Sequence, residues 1–245
     1  MLTRNSKTGN SKKNDKNIHR DRIQDKNKVQ KKNKPDKETG EMKTQIIPTI
    51  ISKNQREFDE ILDKYSEYYK HYQIDIMDGK FVKNTSNNFK LKLNKKYTYE
   101  AHLMVNNPEE WIKKNYKDYK IIIANYEKLK NPEDIIKFVK SKHKKIGFAL
   151  NPETSIMHIM PYLKRLDRVL ILTVHPGQYG AEFLKETLEK IKMLRMNYKK
   201  NIEVDGHINP ETLKQCKKAG ANLFAVGSYL KDSEDIKDSI KRLRI

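Results

Sequence analysis

Acidic, histidine and glycine residues occur along this chain within or just after short apolar runs. Asp75 and Asp78 stand three residues apart where one run ends, His102 lies in a second run, and Asp205 ends a third. Carboxylates and imidazoles transfer protons and bind divalent metals. This concentration is typical of an active site, although an acidic strand end can also be an ordinary turn.

Eight short apolar runs would have to position these side chains. The runs are rich in β-branched residues, as strands buried on both faces are. They occupy residues 46–51, 72–77, 99–105, 120–125, 145–150, 168–174, 201–205 and 223–228.

Helix-like stretches separate the runs. The sequence Asn-Pro-Glu opens four of them, at residues 107, 131, 151 and 209, with Asn as the N-cap and Pro at the first helical position. Gly220 is a typical helix stop, and residues 55–70 have apolar residues at helical spacing. Residues 84–96 show little helical period, so we expect a loop and a short helix there.

The alternation of eight strands with helices predicts a parallel (β/α)8 TIM barrel. An open doubly wound sheet is the rival, but its first turn is usually glycine-rich, and "SKNQRE" contains no glycine. In a barrel the carboxyl ends of all strands meet at the active-site face. That face would carry Thr49, residues 75–79, residues 102–104, Asn125, Asn151, residues 175–180, residues 205–207, Gly227 and Ser228.

The net charge of +20 is shared by a basic tail and a basic folded part. Residues 1–44 hold 14 Lys and Arg against 6 Asp and Glu, with few apolar residues. Such a segment buries too little apolar surface to offset its ordering entropy, so we predict a disordered tail over 1–44 and one barrel over 45–245. The tail's charge fits either a general lysine bias or weak contact with nucleic acid or acidic surfaces.

The composition also limits the environment of the chain. Cys216 is the one cysteine, which excludes an intramolecular disulfide and a cysteine zinc site. No apolar run approaches the ~20 residues that span a bilayer. A cytoplasmic protein without membrane contact is therefore expected.

Seven motifs occur in order along the chain: "IIPTIIS", "IDIMDGKFV", "AHLMV", "FALNP", "LTVHPGQYG", "EVDGHI" and "AGANLFAVGS". Together they resemble the ribulose-phosphate 3-epimerase family over residues 45–245. The resemblance implies a TIM barrel, usually a homo-oligomer, that interconverts D-ribulose 5-phosphate and D-xylulose 5-phosphate in the pentose phosphate pathway. Inversion at C3 would proceed through an enediolate.

The resemblance implies roles for particular residues. Asp75 and Asp205 match the two acid/base groups, and both would bind a divalent metal together with His102. Zinc, manganese, iron and magnesium are the candidate ions. A second metal-binding histidine of the family is matched by Gln73, whose amide oxygen is a weaker and harder ligand than imidazole. We therefore predict weakened zinc binding, or a shift towards manganese or magnesium.

The remaining site residues would bind the substrate. Thr49 matches a serine of the family, and Met77 and Met104 would lie beside the reacting carbons, although plain core packing explains both equally well. The phosphate would be held at glycine turns, where His207 replaces a glycine and a positive φ would be strained. The residues at this end are His175, Gly177, Gly180, Gly206, His207, Gly227 and Ser228.

Other interpretations stay open. The changes around the site allow a barrel with impaired catalysis that acts as a binding or scaffold protein. They also allow an epimerase of another sugar phosphate. Asp78, next to Gly79, is interpreted as fixing the following loop and not as a proton carrier.

Overall fold

Nine strands form one sheet in the computed structural model, which describes residues 42–177 and 180–244. They are β1 (Gln45–Ile50), β2 (His71–Asp78), β3 (Thr85–Ser86), β4 (Thr98–Met104), β5 (Ile121–Asn125), β6 (Lys145–Leu150), β7 (Arg168–Leu172), β8 (Asn201–Asp205) and β9 (Leu223–Val226). The order is β1-β9-β8-β7-β6-β5-β4-β2-β3, and β1 also pairs with β2. Eight parallel strands therefore close into the predicted (β/α)8 barrel, and an open sheet is excluded.

Helices connect the strands on the outside. They are α1 (Gln55–Ser66), α2 (Pro108–Asn115), α3 (Pro132–Ser141), α4 (Thr187–Asn197), α5 (Pro210–Ala219), α6 (Ser228–Lys231) and α7 (Ile236–Arg242), with 3-10 turns at Tyr116–Asp118, Tyr126–Lys128 and Ile156–Tyr162. The predicted caps Asn107 and Asn209 accept hydrogen bonds from first-turn amides. Asn131 precedes α3 without such a bond. Gly220 ends α5 at φ 115°, as predicted.

Two helix predictions are wrong. Residues 84–96 form the predicted loop but no helix, because Asn87 binds the carbonyls of Ile50 and Asp75, and β3 pairs antiparallel with the end of β2. Residues 151–160 do not form an α-helix starting at Asn151. The Asn151 side chain is bound to Asn125 instead, Ser155 caps a 3-10 turn, and Pro161 lacks the amide that an α-helix needs.

The apolar core lies mainly between the strands and the outer helices. Phe58, Leu62 and Tyr65 of α1 are buried against it, as are Ile135 and Val139 of α3. A fully buried side chain of this size contributes roughly 1.5–3 kcal/mol. The barrel interior holds a smaller apolar cluster of Ile121, Ile123, Ala149, Leu170 and Leu172. The helical layer therefore supplies most of the burial, and the interior is free to carry polar groups.

A buried ion cluster lies towards the amino-terminal ends of the strands. Arg168 donates to Glu100 at 2.6 Å and also to Glu203, and all three side chains are almost completely buried. His71 Nε2 lies 2.8 Å from a Glu100 oxygen. A side chain at Gly147 would collide with the Arg168 side chain, so a glycine is required there.

Some predictions concern parts of the chain that the structure does not reach. The tail prediction covers residues 1–44, of which 1–41 lie outside the described residues, so it stays a prediction. None of the helices described here has the length and apolar character needed to cross a membrane.

Candidate active site

A cavity of about 600 Å³ opens at the carboxyl ends of the barrel strands. Most of the residues predicted at this face line it. They are Thr49, Asp75, Met77, His102, Met104, Gly177, Gly180, Asp205, Gly206, His207, Gly227 and Ser228. Residues from six strands or their following loops therefore meet in one cavity.

Asp75 and Asp205 face each other across the barrel, on β2 and β8. The side chain of Gln73, two residues before Asp75 and on the same face of β2, connects them. Its Nε2 donates to Asp75 Oδ1 at 2.9 Å and to Asp205 Oδ2 at 2.7 Å. One amide group therefore holds the two carboxylates at a fixed separation.

His102 completes this cluster from β4, where it pairs in register with Asp75. Its Nδ1 lies 3.2 Å from Asp75 Oδ1 and 3.4 Å from Asp205 Oδ2. On the other side of the ring, Nε2 lies 3.2 Å from Asn125 Oδ1. Asn125 Nδ2 donates to Asn151 Oδ1 at 3.1 Å, so the Asn125 oxygen faces the ring and accepts from Nε2–H. This orientation directs Nδ1 at the two carboxylates.

The cluster changes the pKa values of its members. Burial and the nearby Asp205 raise the pKa of Asp75 to about 6, while hydrogen bonds from His102 and Gln73 oppose the rise. Burial opposes charge on His102 as well, but its hydrogen bonds to Asp205 and Asp75 raise the pKa of the imidazole to about 10. The imidazole of His102 therefore holds its proton, and its Nδ1 lies against both carboxylates.

Two buried polar atoms at the site lack protein partners among the described residues. They are Thr49 Oγ1, on a side chain that lines the cavity, and Gln73 Oε1. A buried acceptor or hydroxyl without a partner costs free energy, so each is suited to a bound group.

The donor set at the centre fits a divalent metal. Ligand atoms of Asp75, His102 and Asp205 lie within 4.8 Å of one another. Gln73 offers one further ligating atom, Oε1, on an amide already in contact with both carboxylates. Two carboxylates and one imidazole are donor groups that divalent metal ions bind.

The backbone beneath Asp75 is fixed by residues that the sequence reasoning missed. Ser86 Oγ donates to the Asp75 carbonyl at 2.5 Å, and Asn87 Nδ2 donates to the carbonyls of Asp75 and Ile50 at 2.9 and 2.8 Å. The Asn87 oxygen accepts from the Ser52 hydroxyl, and Asn87 itself has φ 47°. A polar run without helical period, directly after an acidic strand end, was the available signal.

Asp78 has the structural role that the sequence predicted. Its Oδ1 accepts from the amides of Lys80 and Phe81, and its Oδ2 accepts from the Asn106 amide at 2.8 Å. Burial is the largest single influence and raises its pKa, but the backbone hydrogen bonds together outweigh burial and lower the pKa. Asp78 therefore stays ionised and fixes the loop after β2.

Glycine turns surround the other end of the cavity. Gly177, Gly180 and Gly206 all have positive φ values, and a side chain at Gly206 would collide with Val174. His207 also has a positive φ, of 53°, so the predicted strain is present. Its Nδ1 lies 3.0 Å from the Ala181 carbonyl oxygen.

His175, predicted to bind substrate, is placed elsewhere. Its exposed ring contacts Glu153, with Nδ1 2.9 Å from Oε1, and it is not part of the cavity lining. Its neighbours Val174 and Pro176 line the cavity, so only the direction of the His175 side chain removes this residue from the site. Met77 and Met104 line the cavity and also pack against Val82. Their placement is therefore compatible both with a site beside a bound ligand and with core packing.

The cavity mouth carries basic residues that the sequence reasoning did not assign. Lys53 and Lys83 line the cavity, from the loops after β1 and β2. Next to Lys83, Asn84 Nδ2 donates to the Gly177 carbonyl at 2.6 Å and ties the loop after β2 to the loop after β7. These loops and lysines favour an anionic ligand.

Comparison with known proteins gives concordant matches. The profile of the ribulose-phosphate 3 epimerase family matches residues 45–231. A ribulose-phosphate 3-epimerase of Schizosaccharomyces pombe is 33% identical over 190 residues, covering 74% of this chain and 82% of that protein. One from Methanocaldococcus jannaschii is 35% identical over 182 residues, covering 71% and 77%.

Among solved structures, a tryptophan synthase α-subunit variant from Pyrococcus furiosus superposes with a TM-score of 0.61 at 14% identity. The match covers 82% of this chain and 98% of that one. At this identity the likeness supports the barrel fold alone.

Proposed function

The chain belongs to the ribulose-phosphate 3-epimerase family, and we propose that it interconverts D-ribulose 5-phosphate and D-xylulose 5-phosphate. The observation that carries the proposal is the pair Asp75 and Asp205, which lie on opposite walls of one cavity and share contacts with Gln73 and His102. Inversion at C3, next to the carbonyl, requires a proton to leave one face and another to arrive at the opposite face. Two opposed carboxyl groups, one ionised and one protonated, can perform both transfers.

The raised pKa of Asp75, about 6, suits this exchange. An acid/base group works best when its pKa is close to the working pH, because both protonation states are then accessible. The Ser86 and Asn87 bonds to the Asp75 carbonyl hold the strand end in place during the transfer. Met77 and Met104 provide apolar walls beside the reacting carbons.

Asp75, His102, Asp205 and Gln73 Oε1 would hold a divalent metal ion. When bound, the ion stabilises the negative charge of the enediolate as a Lewis acid. The Gln73 amide now presents its nitrogen to the carboxylates, so ligation requires the amide to turn and present its oxygen. The donor set favours manganese or magnesium over zinc.

The glycine turns after β7, β8 and β9 would bind the phosphate of the substrate. Their backbone amides can donate to an anion, and Lys53 and Lys83 at the mouth add positive charge. The Thr49 hydroxyl, which has no protein partner in the described residues, would donate to a substrate oxygen.

A second candidate rests on Gln73. A weakened metal site would leave a barrel that binds a sugar phosphate without turnover, or that acts on another sugar phosphate. A cytoplasmic location, a homo-oligomer and a role in the pentose phosphate pathway remain predictions.

The single cysteine, Cys216, is buried, and burial raises the pKa of its thiol to about 12, which fits a reduced thiol without catalytic use.

A coupled assay for D-xylulose 5-phosphate formation tests the proposal. The purified protein should convert D-ribulose 5-phosphate after addition of Mn²⁺, and dialysis against a chelator should remove the activity. Absence of product with Mn²⁺, Mg²⁺, Zn²⁺ and Fe²⁺ would favour the second candidate. Full activity after metal removal would refute the metal role and leave the two-aspartate proposal standing.

A further inference from the structure

His207 adopts a backbone conformation that costs free energy for any residue with a side chain. Its φ is 53°, and the preceding Gly206 has φ 116°, so two left-handed residues follow each other at the end of β8. Residues held in this region persist only where the surrounding structure fixes them, and they are common in ligand-binding segments.

The start of helix α5 fixes the His207 backbone. Thr212 Oγ1 donates to the His207 carbonyl at 2.8 Å, and the Asn209 amide donates to the same hydroxyl at 3.0 Å. Asn209 and Thr212 form a capping box. The turn would therefore keep this shape with glycine at position 207, and the backbone does not need a histidine.

The side chain of His207 supplies a contact that glycine cannot. Nδ1 lies 3.0 Å from the Ala181 carbonyl oxygen, which can only accept, so Nδ1 carries the hydrogen. Ala181 belongs to the loop after β7, and both residues line the cavity. The ring thus joins two of the three glycine-containing segments at this end of the site.

The loop after β7 has only a few other attachments among the described residues. Near its start the Gly177 carbonyl accepts from Asn84, and near its end the Leu184 amide donates to the Thr173 carbonyl at 2.8 Å. Between these points, His207 holds the loop at Ala181. At the first residue after β7, Thr173 Oγ1 also donates to the Gly206 carbonyl at 2.5 Å. Among the described residues, the bond to His207 is the one side-chain attachment of the segment around Gly180 and Ala181 to the turn after β8.

We propose that His207 is a positioning residue that holds the loop after β7 against the turn after β8 and so assembles the phosphate-binding end of the cavity. The inference rests on the proposed function for the identity of the substrate, but not for the binding of an anion. The backbone strain at His207 is retained because its imidazole makes this connection.

Three variants separate the connection from other effects. His207→Gly removes the ring and relieves the left-handed strain. His207→Asn tolerates the same backbone and places an amide nitrogen where Nδ1 lies, so it can still donate to Ala181. His143→Gly is the matched control, because His143 is an exposed histidine at φ 55° in the loop between α3 and β6, at the opposite end of the barrel.

Inorganic phosphate is the probe, and its dissociation constant is measured by calorimetry. We expect His207→Gly to raise this constant roughly fivefold or more, the factor that one net hydrogen bond supplies. KM for ribulose 5-phosphate should rise in parallel and by more than kcat falls, while the melting temperature should not drop. His207→Asn should stay within about twofold of the unaltered protein, and His143→Gly should leave phosphate binding unchanged.

Two results would overturn the proposal. Unchanged phosphate affinity in His207→Gly would show that the connection does not build the site. If His207→Asn and His207→Gly weakened phosphate binding equally, the effect would come from the rest of the imidazole ring and not from the bond with Ala181. If phosphate binding follows the expected order but the unaltered protein makes no xylulose 5-phosphate, the proposed function fails and the role of His207 stands.

Discussion

Gln73 and Asp205 are 132 positions apart in the sequence and lie on different strands of the barrel, yet Gln73 Nε2 donates to Asp205 Oδ2 at 2.7 Å. The same nitrogen donates to Asp75 Oδ1 at 2.9 Å. The two carboxylates are therefore connected through a neutral amide, with His102 as a second shared neighbour. Several predictions about proton transfer, metal choice and pH depend on this arrangement, and each can be measured.

Replacing either carboxylate with an amide should stop turnover. Asp75→Asn and Asp205→Asn each remove one group that can exchange a proton, at nearly the same volume. We expect each change to lower kcat by about 10²–10⁴-fold, the usual contribution of general acid–base catalysis. The measurement is the coupled xylulose 5-phosphate assay, with circular dichroism to verify folding.

Asp78→Asn is the comparison for this pair. Asp78 ends the same strand but binds only backbone amides, so its loss should lower stability more than it lowers the chemical rate. If either Asp75→Asn or Asp205→Asn kept the rate of the unaltered enzyme, the acid/base assignment would be wrong.

Gln73→His should change the metal preference. An imidazole in place of the amide oxygen makes the donor set softer, which favours zinc. We expect the affinity for Zn²⁺ relative to Mn²⁺ to increase by about tenfold or more, equivalent to about 1.4 kcal/mol. Chelator-competition calorimetry measures both affinities without using enzyme activity.

Gln73→Leu provides the control for ligation by Gln73. This variant replaces the amide with an apolar side chain that is one atom shorter and cannot bind a metal, so binding of both metals should weaken if Oε1 is a ligand. An unchanged Mn²⁺ affinity in Gln73→Leu would show that Gln73 only spaces the two carboxylates.

The metal-free protein should lose stability as the pH rises from about 6.5 towards 10. His102 has an ordinary pKa of 6.5; burial opposes its charge, but its hydrogen bonds to Asp205 and Asp75 raise its pKa in the folded chain to about 10. The folded state therefore binds more protons in this window, and the stabilisation is complete below pH 6.5 and lost as the pH rises through about 10. One proton allows a slope of at most about 1.4 kcal/mol per pH unit.

Urea unfolding in the presence of a chelator, repeated at several pH values, measures this slope. The variant His102→Asn should remove it between pH 6.5 and 10. Asp75 acts in the same direction at lower pH, because burial and Asp205 raise its pKa from 3.8 to about 6. Its contribution is present below pH 3.8 and lost as the pH rises through about 6. A slope that stays in His102→Asn would assign the upper window to another group.

Asn87→Ala should reduce both stability and turnover. The change removes one hydrogen bond from the Ile50 carbonyl, one from the Asp75 carbonyl and one from the Ser52 hydroxyl, and it forces alanine into φ 47°. We expect a loss of about 2–4 kcal/mol in the free energy of unfolding. Kcat should fall as well, because the Asp75 backbone loses a support. Exposed Asn88→Ala is the neighbouring control, and equal effects of the two changes would contradict this role.

The fold was predictable because its signals are local. Each strand is recognisable in the sequence as a short run rich in β-branched residues. The caps Asn107 and Asn209 mark helix starts through contacts within one turn. The two wrong helix predictions concern segments whose side chains bind residues that are distant in the sequence. Asn151 binds Asn125, and Asn87 binds the ends of two strands, so neither follows the pattern of its own neighbourhood.

For the candidate site, the positions of residues at strand ends were predictable, but the bonds between distant side chains were not. Placement at strand ends was sufficient to gather Asp75, His102 and Asp205, because parallel strands bring their carboxyl ends together. The bridging bond of Gln73 and the bond between His207 and Ala181 join residues from separate loops or strands. Such bonds depend on side-chain directions that a single sequence does not encode locally.

The ion cluster of Glu100, Arg168 and Glu203 closes the barrel interior at the end opposite the cavity. Its buried side chains occupy the interior on the side away from the cavity mouth, so any ligand must enter and leave the cavity by the same opening. Entry and exit are then not independent events, because a bound ligand blocks the entry of the next one. Asn84 and Gly177, which join two loops by a hydrogen bond, both line this cavity and so lie beside the path that any ligand takes.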